Sequence, residues 1–106
     1  MRSVESTFDS VRDVLERVGF QLVENASHPE AFGSRYAVFQ DNRRRLRLIW
    51  DGKEEWFVLD EQSGESAGSQ AWQEVITVRV GRSGITPSSL EILMEAVKRQ
   101  VSGAPA

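Results

Sequence analysis

From Val4 to Val18 the apolar residues Val4, Phe8, Val11, Leu15 and Val18 recur at steps of four and three, with mainly polar side chains between them. That spacing lays them along one stripe of an amphipathic helix over residues 4–18. Ser3 stands where an N-cap is needed, Glu5 and Asp9 fall in or near the first turns, Arg17 falls in the last, and Gly19 can take the left-handed conformation that ends a helix. Beyond Gly19 the pattern shortens to strand-like runs. FQLVEN (20–25) and RYAVFQ (35–40) read as strands separated by the turn-rich ASHPEAFGS. The first of them either pairs at a sheet edge or simply leads out of the helix.

RRLRLIW and EEWFVLD then flank the dipeptide Asp51-Gly52, which predicts a two-residue type I′ hairpin because both residues tolerate positive φ. In that register Trp50 opposes Lys53, Leu48 opposes Glu55, Leu46 opposes Phe57 and Arg44 opposes Leu59, giving one mainly apolar face. The other face carries Arg43, Arg45, Arg47 and Ile49 against Asp60, Val58, Trp56 and Glu54. A bulge or three-residue loop would instead send Trp56 to the core side. Glycine and serine then dominate, which predicts a flexible loop over 62–71.

WQEVITVRV reads as a last strand with Ile76, Val78 and Val80 on one face and Val75, Thr77 and Arg79 on the other. Trp72, at its start, is expected to anchor the core. A second helix follows, with Thr86 as N-cap, Pro87 in the first turn, Lys98 and Arg99 late and Gly103 beyond the end. Its apolar stripe is Leu90, Leu93, Met94, Val97 and Val101. The order is α-β-β-β-β-β-α. The expectation is an α+β fold: an antiparallel meander of four or five strands, with both terminal helices packed on one face. The whole is expected to be one domain over 1–103, followed by a disordered tail at 104–106.

Composition narrows the chemistry. The 106 residues include no cysteine, which removes disulfides, thiol catalysis and thiolate metal sites. No apolar run is long enough to cross a bilayer and the first residues lack a signal-peptide core, so the expected location is cytoplasmic, without a membrane partner. His28 is the single histidine and has no recognisable second ligand or activating partner in sequence. The serines of the glycine-rich stretch lack the context of a nucleophile elbow or a phosphate loop. No catalytic residue, metal site or cofactor is therefore predicted, and an enzyme is not expected.

What remains is the arginine-rich hairpin. Arg43, Arg45 and Arg47 form a row, Trp56 lies beside Arg47, and Arg79, with Arg35, can join from neighbouring strands. Arginine and tryptophan are enriched at binding hot spots. The bland alternative is a solvated face in which Arg43 pairs with Asp60 and Arg47 with Glu54, each pair contributing a few tenths of a kcal/mol. The net charge of −3 and the acids on the same hairpin weaken a nucleic-acid reading. The sequence thus predicts a non-enzymatic interaction domain that binds a partner protein or forms a homodimer through the outer sheet face. The alternatives are a nucleic-acid module using the arginine row, an antitoxin-like or immunity-type inhibitor, and a small-ligand pocket between the helices and the sheet.

Overall fold

The computed structural model describes residues 3–63, 71–81 and 84–102. Helix α1 spans Val4–Arg17, strands β1 to β5 span Gln21–His28, Ser34–Gln40, Arg44–Asp51, Trp56–Ser63 and Gln73–Arg79, and helix α2 spans Pro87–Ser102. The five strands form one antiparallel sheet in the order β1-β2-β3-β4-β5, a meander with β1 and β5 at its edges. This is the expected α+β arrangement. The first strand does pair, at an edge, and it runs on past Asn25 to His28. Most of the predicted loop at 62–71, Gly103 and the tail at 104–106 lie outside the described residues.

Both helices begin as their sequences require. The Ser3 side chain accepts from the Ser6 N–H while the Ser6 hydroxyl accepts from the Ser3 N–H, so two otherwise unpaired donors are satisfied reciprocally. Thr86 and Ser89 repeat the exchange ahead of α2. Gly19, at φ +99°, turns the chain out of α1. Phe8, Val11 and Leu15 from α1 and Leu93, Ala96 and Val97 from α2 share one buried cluster with Ala37, Phe39, Leu46, Leu48, Phe57, Leu59 and Val78 of the sheet. Alternation along the strands puts all of these sheet residues on one face, so both helices cover that face.

The central hairpin is closed differently from the sequence expectation. Asp51 pairs with Trp56, and Gly52 to Glu55 form a four-residue loop, so Trp50 opposes Phe57, Leu48 opposes Leu59 and Arg47 opposes Asp60. Asp51 accounts for the longer loop. Its carboxylate accepts the N–H groups of Lys53 and Glu54, its carbonyl accepts that of Glu55, and Glu55 takes the positive φ of 61°. Gly52 is needed for closeness, not for handedness. A Cβ there would come within 2.8 Å of the Phe32 carbonyl carbon and nearer still to its oxygen, and the Gly52 N–H donates to the Ser34 hydroxyl at 2.9 Å. The partner strand has moved by four positions, an even number, so the residues that remain in β3 and β4 keep their predicted faces and Trp56 stays off the core side.

Candidate interaction face

The sheet face opposite the helices is built in cross-strand rows. One row runs Ala26, Tyr36, Ile49, Val58, Thr77 across all five strands, and each of these residues is half-buried. The next runs Glu24, Val38, Arg47, Asp60, Glu74, with Val38 and Asp60 buried on either side of the central Arg47. Flanking rows carry Asp51, Trp56 and Arg79 on one side and Gln21, Gln40, Arg45 and Gln62 on the other. Among the described residues no helix lies over this face. A nearly continuous apolar band therefore crosses an open sheet surface beside a row of charges.

Arg47 is the electrostatic centre. Its Nε and one terminal nitrogen lie 3.2 and 2.8 Å from the same Asp60 oxygen, and its guanidinium sits 4.4 Å above the Trp72 ring. With the Asp60 side chain 9% exposed and that of Arg47 27%, this pair is partly shielded from the solvent that weakens exterior ion pairs. Arg79 stacks 5.1 Å over Trp56. Arg45 donates to Gln40 Oε1 at 2.8 Å. The Tyr36 hydroxyl donates to Glu24; that hydrogen bond, with desolvation and the carboxylate charge, raises the phenol above its usual 10.0, while Arg47 acts in the opposite direction.

Several sequence-stretch expectations are redistributed by this geometry. Arg45, Arg47, Trp56 and Arg79 share the outer face, but Arg43 precedes β3 in the turn from β2, exposed, with its N–H bonded to Asp41. The partner of Asp60 is Arg47, not Arg43, and Glu54 sits in the loop, because the four-position shift carries both acids past their expected partners. Arg35 turns to the helix side, 4.2 Å over Phe8, since its strand parity is that of Ala37 and Phe39. Trp72 does not anchor the core. A bulge between β4 and β5 resets the register, and Trp72 lies on the outer face under Arg47. Hydrophobicity alone sent it inward; its cation-π partner, Arg47, lies 25 residues earlier in the chain, outside any local motif.

Other chemistry is sparse. His28 stacks on Tyr36 and lies 3.5 Å from Glu30, with half of its side chain exposed. Among the described residues no group of three or more His, Asp or Glu side chains is placed to hold a metal ion, and no helix is long and apolar enough to cross a membrane. The space between α1 and the sheet, beside Phe8, Asn25 and Arg35, measures about 50 Å³. That is well below the roughly 300 Å³ at which small-molecule pockets begin, whereas a wider and more open groove of about 370 Å³ lies between Ile76 of β5 and α2. Compared with protein-family models, curated proteins and solved structures, the chain shows no match, and its functional reading rests on the geometry of this face.

Proposed function

We propose that the protein is a non-enzymatic interaction domain whose outer sheet face docks a partner protein. The observation that carries this reading is the half-buried band Tyr36, Ile49 and Val58, flanked by two tryptophans that each lie under an arginine. Such a surface offers apolar area for desolvation together with rigid aromatic and guanidinium anchors, the residue types that dominate binding energy at interfaces. The cation-π contacts hold the four side chains before any partner arrives, which lowers the entropy lost on docking.

Charge argues for a protein over a nucleic acid. Arg45, Arg47 and Arg79 stand against Glu24, Asp60 and Glu74 on the same face, and Arg47 is already neutralised by Asp60. Counterion release requires several unpaired cations on one surface. The test is affinity capture from the source lysate with the native protein and with Trp56→Ala/Arg79→Glu, after both are shown to fold. A defined protein retained by the first and lost by the second supports the reading. Equal capture by both, or retention of nucleic acid that falls away steeply with salt, overturns it.

A further inference from the structure

Strand β5 leaves one side of its backbone open, and α2 packs against this strand. The Val80 N–H bonds to the carbonyl of Glu55, the residue just before β4, so antiparallel alternation turns the main-chain groups of Val78 toward β4 and those of Thr77 and Arg79 outward. Among the described residues no strand pairs with them. The run Ile76-Thr77-Val78-Arg79-Val80 lies beyond the bulge and is mainly β-branched, whereas the opposite edge offers the small and polar Glu24-Asn25-Ala26-Ser27-His28 after its own bulge. Regular, β-branched open edges are the ones that template pairing with another strand.

Above this edge Ile76 forms a groove of about 370 Å³ with Glu91, Ile92, Glu95, Ala96 and Arg99 of α2. Ile92 is 52% exposed. Glu91, Glu95 and Arg99 follow one another at intervals of four on the helix, acid at one end and base at the other, and none of the three forms an ion pair among the described residues. Such a stripe is self-complementary. Turned about a two-fold axis, the basic end of one helix meets the acidic end of its copy, as an isologous interface requires.

We propose that the β5 edge and the α2 groove bind a second copy of this chain. The two β5 strands pair antiparallel through the outward main-chain groups of Thr77 and Arg79, the two α2 helices lie side by side, and Arg99 of each faces the acids of the other. Strand addition supplies the main-chain hydrogen bonds and the groove receives the alternate side chains. The outer faces of the two copies then form one continuous surface, so this inference extends the docking reading without depending on it.

Sedimentation equilibrium over a wide concentration range tests the proposal. The native chain is expected to pass from one-copy to two-copy mass, and Ile92→Glu to remain at one-copy mass. Arg99→Glu makes the stripe wholly acidic and Glu91→Arg/Glu95→Arg makes it wholly basic; each is expected to dimerise more weakly alone, and an equimolar mixture to recover the two-copy mass. Glu91, Ile92, Glu95 and Arg99 are all exposed on α2, so the variants should keep the native circular dichroism. A native chain that stays at one-copy mass throughout overturns the proposal. So does a dimer that survives Ile92→Glu and Arg99→Glu, or one lost instead in Trp56→Ala.

Discussion

Single residues here do work that their type alone does not announce. Gly52 is a spacer between two hairpin loops, where a Cβ would collide with the Phe32 backbone. Because backbone cannot swing aside as a flexible side chain can, Gly52→Ala is expected to cost about 1–3 kcal/mol, the usual range for overpacking. Urea unfolding would show this as a lower midpoint at unchanged slope. Tyr36, the only tyrosine, is raised above 10.0 first by its hydrogen bond to Glu24. Its tyrosinate absorbance should therefore appear at higher pH in the folded protein than in the unfolded chain. Folding holds the phenolic proton more tightly than the unfolded state does. The stabilisation from that contact is thus complete below the unfolded value near 10 and is lost as pH rises through the folded one. A native titration midpoint at or below 10 would remove the Glu24 contact from the account.

At the scale of elements, alternation decides which substitutions matter. Leu48 is buried beneath the helices and Ile49, its neighbour on β3, belongs to the outer band. Leu48→Ala is expected to cost about 2–5 kcal/mol, as large-to-small core changes do, and Ile49→Ala distinctly less. Equal losses on denaturant unfolding would mean that something covers the outer face. The same alternation explains what could be read from sequence. Helix limits came through because Ser3, Gly19 and Thr86 act within a few residues of themselves, and strand faces came through because parity survives an even shift of register. The hairpin loop did not: Asp51-Gly52 satisfies the local rule for a two-residue turn, while the loop adopted depends on Asp51 capping Lys53 and Glu54 and on Phe32 packing from another hairpin. Trp72 and Arg35 were misplaced for different reasons: the face of Trp72 was reset by the bulge between β4 and β5, whereas Arg35 shares the strand parity of Ala37 and Phe39, which turns it toward Phe8 of α1.

For the molecule as a whole, two helices and one sheet make a two-layer structure with its second sheet face left open among the described residues. The arginines of the central hairpin thus separate into different tasks: Arg44 pairs with Glu61 on the helix side, where Gln100 of α2 also reaches Glu61, and Arg47 organises the outer face with Asp60 and Trp72. The central claim is that this outer face is where a partner protein sits. Site-specific photo-crosslinking in the source cells tests it most directly, with a benzophenone probe placed in turn at Val58 and Gln40 on the outer face and at Arg17 on α1 as the control. The account predicts a discrete protein adduct from Val58 and Gln40 and none from Arg17. Adducts from Arg17 alone, adducts with nucleic acid, or no adduct from either outer position would contradict it.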